Sequence, residues 1–100
     1  MDISMKVKGD NSNTVVLTMP SRVKFRVWKE FMGSYEELIG DRKVEFDMQQ
    51  VVHIDSAGIG MLLWAREQYG QNEMLHITNC QPKLRHLLTI ADMQKLFVIT

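Results

Sequence analysis

His53-Ile54-Asp55-Ser56-Ala57-Gly58-Ile59-Gly60 sits between two apolar runs. The apolar pair Val51-Val52 leads into it, and Met61-Leu62-Leu63-Trp64-Ala65 follows. An acid, a hydroxyl and two glycines thus stand where an extended segment hands over to a helical one. Ser is a favoured N-cap, because its hydroxyl accepts from the free N–H groups of the first turn. A cap alone does not call for glycine at two first-turn positions, each of which costs roughly 1 kcal/mol against Ala. Gly58 and Gly60 leave the backbone bare there, so that another part of the fold or a partner protein can come close.

Upstream of this junction, Ile3 to Lys8 alternates, with Ile3, Met5 and Val7 on one side and Ser4, Lys6 and Lys8 on the other. Period two indicates a half-buried strand. Residues 9–13 are a dense turn cluster, and Thr14 to Met19, rich in β-branched residues, completes an antiparallel hairpin. After Pro20-Ser21, the apolar residues Val23, Val27, Phe31 and Tyr35 recur every four positions, which predicts an amphipathic helix from about Val23 to Leu38. Lys43 to Met48 reads as a strand, and Val51 to Ile54 prolongs the extended region.

Downstream, Ala57 to Tyr69 is helical, with Ile59, Leu62, Leu63 and Arg66 on one face and Gly70 as its stop. Met74 to Thr78 is a strand. Pro82 opens a further helix that buries Leu84, Leu87, Leu88 and Ala91, and Leu96 to Ile99 is a last strand. The order β-β-α-β-α-β-α-β predicts a single α/β domain over residues 1–100. Its sheet is mostly parallel, with an antiparallel N-terminal hairpin strand, right-handed crossovers and helices covering the sheet.

Bulk properties exclude several functions. Twelve basic and twelve acidic residues cancel, and no Lys/Arg run appears. Neither a nucleic-acid footprint nor a polybasic membrane patch is present. No apolar run approaches the roughly 20 residues that span a bilayer. The N-terminus lacks the apolar region of a signal peptide. A single cysteine, Cys80, cannot form an internal disulfide and fits a reducing compartment. The expected location is the cytoplasm, with no nucleic-acid or membrane partner. The eight methionines are read as adaptable core fillers, a few of them as an exposed contact surface.

A phosphate on Ser56 would meet a helix N-terminus, where unpaired N–H donors and the positive dipole end tolerate an anion. Asp55 would repel the added charge of about −1.5 to −2. Modification there changes the surface potential without unfolding the core. Catalysis is disfavoured. A nucleophile elbow reads Gly-x-Ser-x-Gly, and position 54 is Ile. His53 is too close along the strand to serve as a triad base, and His76 and His86 lack an evident acidic orienter. The Gly58-Ile59-Gly60 triplet alone is a weak phosphate-loop signal. No His, Cys and carboxylate set has metal spacing. No cofactor or metal is expected.

At this point the residues carry a family resemblance. Val51-Val52-His53-Ile54-Asp55-Ser56-Ala57-Gly58-Ile59-Gly60-Met61-Leu62-Leu63 resembles the signature of STAS domains, the fold of bacterial anti-sigma factor antagonists. Val44-Glu45-Phe46-Asp47 is similar to the family's preceding strand. Asn79-Cys80-Gln81-Pro82-Lys83-Leu84 is similar to its loop into the third helix, and Ile90 to Phe97 to its closing segment. The likeness covers about residues 43 to 100.

The resemblance implies that Ser56 is a phosphoacceptor in a partner switch. The unphosphorylated protein would bind an anti-sigma factor that is itself a GHKL-type serine kinase. Phosphorylation would release it, and a PP2C-type phosphatase would restore binding. The partner surface is assigned to Asp55, Ser56, Ala57, Gly58, Gly60 and Met61, with Arg22 and Lys24 beside them. The segment from Leu17 to Phe25 departs from the family's usual Gly-x-Leu/Phe-Asp and is basic instead, suited to an acidic partner surface. Two other classes stay open: a small-ligand or nucleotide-binding module, and a scaffold subunit of a sensory assembly. Asp47 is expected to brace the loop near Ser56. Trp28 is read as core, and Trp64 as either packed or an interface anchor.

Overall fold

A computed structural model describes residues 4–7, 13–24, 26, 29, 42–70 and 75–100. Five strands form the main sheet: β1 (Ser4–Val7), β2 (Thr14–Thr18), β4 (Lys43–Asp47), β6 (Leu75–Thr78) and β7 (Phe97–Ile99), side by side in that order. β1 runs antiparallel to β2, and each later neighbour is parallel. The mostly parallel sheet with an antiparallel hairpin strand is therefore present as expected. Two helices are described, α1 (Ser56–Tyr69) and α2 (Pro82–Ile90), with a short 3₁₀ turn at Met93–Lys95.

Burial alternates along the strands, which places the core on one face of the sheet. Val15, Leu17, Val44, Phe46, Leu75, Ile77 and Phe97 are buried and pack with Met61, Leu62 and Ala65 of α1 and Leu84 and Leu88 of α2. Register makes this continuous, with Leu17 beside Phe46 and Phe46 beside Ile77. The opposite face carries Thr14, Val16, Glu45, Asp47, His76 and Thr78, half-buried or exposed. Among the described residues, the helices cover one face only. The alternating pattern of Lys43-Val44-Glu45-Phe46-Asp47 belongs to a sheet wetted on one side.

Several expectations need correcting. The extended stretch before Ser56 does not prolong β4. Gln49 and Gln50 turn the chain, and His53–Ile54 forms a separate two-residue strand, β5, parallel to β3 (Arg22–Val23). Val23 is thus strand, not the start of a helix. Lys24 has no regular structure, Arg26 and Lys29 are helical and exposed, and the other residues of the expected helix, Trp28 included, lie outside the described residues. The buried face of α1 is Gly58, Met61, Leu62 and Ala65, whereas Leu63 and Arg66 are exposed. On α2, Leu84 and Leu88 are buried, but Leu87 and Ala91 are exposed. Every methionine whose side chain is described, Met19, Met48, Met61 and Met93, is buried, so these four fill the core and offer no contact surface.

Cys80 sits half-buried between β6 and α2 and packs against the core. Burial pushes its thiol above the ordinary cysteine range, and the nearby charge of Arg85 opposes this only in part. Less thiolate is present at pH 8 than in a free cysteine, and the thiolate is the reactive form. Alkylation of the folded chain by iodoacetamide at pH 8 should be roughly fivefold or more slower than in denaturant. Mass spectrometry of timed aliquots checks this, and equal rates would contradict it.

Candidate phosphoserine site at the start of helix α1

The site is assembled by the small β3–β5 pair. After β2 the chain passes through the buried Pro20 and runs alongside the segment that enters α1. Ser21 O accepts from Val52 N at 2.8 Å and from His53 N at 3.2 Å. Arg22 lies beside His53 and Val23 beside Ile54. Val23 and Ile54 point into the core, so Arg22 and Lys24 turn outward and are exposed. The pairing lays this basic segment along the chain that enters α1, with Arg22 beside His53 and Val23 O accepting from Asp55 N at 3.5 Å.

Asp55, not Ser56, caps the helix. Its backbone is extended (φ −103°, ψ −176°), and its Oδ1 accepts from Gly58 N at 2.8 Å. Ser56 is consequently the first residue inside the helix and is exposed. Its hydroxyl is not used for the cap, and it stands at the positive end of the helix dipole. Because Asp55 satisfies a first-turn donor, Asp55→Ala should cost about 1 kcal/mol, whereas Ser56→Ala should stay within about 0.5 kcal/mol of the parent. Thermal melts of both variants check this ranking. A larger loss in Ser56→Ala would reassign the cap.

The two glycines serve different ends. A Cβ on Gly58 would lie 2.6 Å from Val23 O and 2.6 Å from the Ile54 side chain. Gly58 is buried where α1 presses on the β3–β5 pair, so its bare backbone accommodates the fold and not a partner. A Cβ on Gly60 would meet nothing within 4 Å. Gly60 faces open space beside Leu63 and Trp64.

Of the residues assigned to a partner surface, Arg22, Lys24 and Ser56 are exposed, and Asp55, Ala57 and Gly60 are half-buried around them. Gly58 is buried, and Met61 is fully buried in the core, so neither lies on that surface. One exposed residue went unnoticed in the sequence. Val52 is 64% exposed, an apolar side chain on the segment whose backbone is hydrogen-bonded to Ser21. Its signal lay in Val51-Val52, where only the first of two equal residues can point inward. Trp64 is half-buried, in edge-to-face contact with Tyr69 at 6.1 Å.

Asp47 holds the neighbouring loops. Its Oδ1 accepts from Gln49 N and from Asn79 Nδ2, each at 3.0 Å, and Gln81 Nε2 donates to Gln49 O at 3.2 Å. The turn after β4 is thereby tied to the loop after β6. Among the described residues, no cluster of His, Cys and carboxylates has the arrangement of a metal site, and no helix is long and apolar enough to cross a membrane.

Comparison with known proteins decides the family. The sequence matches the STAS domain profile over residues 3–100. This chain belongs to the STAS domain family. A STAS-domain containing protein of Pseudomonas aeruginosa strain UCBPP-PA14 is 30% identical to it over 88 residues, which cover 86% of this chain and 87% of the relative. An anti-sigma-factor antagonist (STAS) domain protein from Planctomyces limnophilus shares the fold with a TM-score of 0.80 at 15% identity, covering 99% of this STAS domain and 88% of the other. The anti-sigma factor antagonist SpoIIAA in its unphosphorylated form superposes with a TM-score of 0.74 at 12% identity, over 97% and 88% of the two chains. The Bacillus cell fate determinant SpoIIAA in its phosphorylated form gives 0.63 at 12% identity, over 97% and 91%.

Proposed function

We propose that this STAS domain is an anti-sigma factor antagonist that works by partner switching, with Ser56 as the phosphoacceptor. The observation that carries this reading is the exposed Ser56 hydroxyl at the first position of α1, released from capping by Asp55. A kinase can reach it. SpoIIAA, whose fold this chain shares, exists in unphosphorylated and phosphorylated forms.

In the unphosphorylated state the partner docks on Ser56, Ala57 and the open backbone at Gly60, with Val52 as an apolar contact and Arg22 and Lys24 as cations for an acidic rim. The partner is an anti-sigma factor that is itself a GHKL-type serine kinase. Phosphorylation brings about −1.5 to −2 charge into that contact, next to Asp55. The helix N-terminus and the neighbouring cations tolerate this anion within the free domain. A docked acidic rim does not, so the complex opens. A PP2C-type phosphatase resets the switch. The domain itself binds and is modified; it performs no catalysis.

Incubation of the purified chain with ATP and kinases of the cell that makes it tests the reading. Peptide mapping by mass spectrometry should find phosphate at Ser56 and none in Ser56→Ala. Phosphate confined to other residues would reject the assignment.

A further inference from the structure

Helix α2 carries its charge in places that do not serve its own stability. Its first turn holds no acid and its last turn no base, and Lys83 and Arg85 lie near the N-terminal end, where the dipole is already positive. From Met74 to Ala91 the chain contains no carboxylate, while His76, Lys83, Arg85 and His86 all fall within that span. Leu84 and Leu88 anchor the helix in the core. On the outer side Leu87 is 43% exposed and Ile90 is 71% exposed. These two are three residues apart and share a face. Lys83 precedes Leu87 by four positions, and His86 precedes Ile90 by four, so both exposed basic side chains border the apolar pair.

We propose that this face of α2 is a second docking surface, for an amphipathic helix of a partner protein whose apolar side chains are bordered by Asp and Glu. Apolar residues at i and i+3 match the spacing by which one helix reads another. Basic groups without a local carboxylate select an acidic border and repel a basic one. A second copy meeting this face with its own α2 fits poorly, because a facing α2 offers only basic groups. The first carboxylate after the helix, Asp92, is engaged by Lys95 at 3.8 Å. A lipid surface fits poorly too, since recognition there takes clusters of about four to eight Lys or Arg. The surface is small, which makes the contact transient. It lies on a different helix from Ser56 and does not depend on that residue's phosphorylation.

In-cell photo-crosslinking tests this. The full chain carrying benzoylphenylalanine in place of Ile90 is irradiated in the cell that makes it, and the crosslinked segment is identified by mass spectrometry. The expected adduct is on another protein, at a segment with apolar residues at i and i+3 or i+4 and Asp or Glu in the adjoining turns. With that partner purified, Ile90→Glu and Lys83→Glu should each weaken binding about tenfold, and Ser56→Asp should change it less than about twofold. Both substituted side chains are exposed, and thermal melts establish that the variants fold. No adduct, an adduct with the chain's own copy or with lipid, or an adduct on a basic segment overturns the proposal. So does a binding loss that follows Ser56→Asp and not Ile90→Glu; an α2 contact that holds while Ser56 proves inert leaves it standing and removes only the switch.

Discussion

Ser56→Asp should weaken capture of the anti-sigma factor by about 2 kcal/mol, roughly thirtyfold, while leaving the melting temperature within about 3 °C of the parent. The two halves of this expectation have separate causes. A carboxylate at the first helical position faces the positive dipole end, which favours it by a few tenths to about 1 kcal/mol. Repulsion from the capping Asp55 offsets much of that gain. Because Ser56 is exposed, no packing changes. In the proposed complex the same carboxylate would be placed against an acidic rim and stripped of water, where an unpaired charge costs about 2–5 kcal/mol. A phosphate carries more charge and should act more strongly. Ser56→Ala should bind as the parent does. Calorimetric titration of the three proteins, with melts in parallel, separates an effect on the surface from one on the fold. A variant that binds normally, or that loses binding only because it melts, would contradict the mechanism.

Gly58→Ala and Gly60→Ala should move stability in opposite directions. Helix propensity alone would make both substitutions favourable by up to about 1 kcal/mol. At Gly60 nothing stands in the way, and that gain should appear in full or in part. At Gly58 the new methyl meets the Val23 carbonyl at 2.6 Å, and this atom belongs to backbone that cannot rotate aside. Either α1 or the β3–β5 pair must shift, and overpacking of this kind costs about 1–3 kcal/mol. The net expectation is a loss of about 1–2 kcal/mol, visible as a drop of roughly 5–15 °C for a chain of this size. The same shift disturbs the β3 segment that carries Arg22, so binding of the proposed partner should fall as well. Two variants of equal stability would show that α1 does not press on the small sheet as described.

The contrast between these glycines marks where the sequence was legible. The β-branched run of Thr14 to Met19, the short strand at Lys43 to Met48, the Pro82 helix start and the passage from strand to helix at Asp55-Ser56 each lie where expected. Pairing of Arg22–Val23 with His53–Ile54 involves two residues on each side and leaves no periodicity to detect. Yet it is what lays the basic segment against the chain that enters α1. Neighbouring Asp and Ser are both good caps, so position alone could not assign that role. The face of α1 was misjudged because Ala57 to Ala65 is apolar almost all round, and its burial is decided by what it packs on. Leu87 adjoins Leu88, but a helix turns about 100° between them, and of the two only Leu88 is buried.

In the proposed switch, charge placed on Ser56 changes what the domain binds and not how it folds. Its most direct test uses the full chain with phosphoserine incorporated at position 56 to full occupancy, compared with the unmodified chain by ¹H–¹⁵N correlation spectra and by titration with the anti-sigma factor. Shifts confined to Arg22–Lys24 and Asp55–Gly60, an unchanged core spectrum and loss of binding are the predicted result. Retained binding by the phosphorylated chain, or loss of the core resonances, would contradict it.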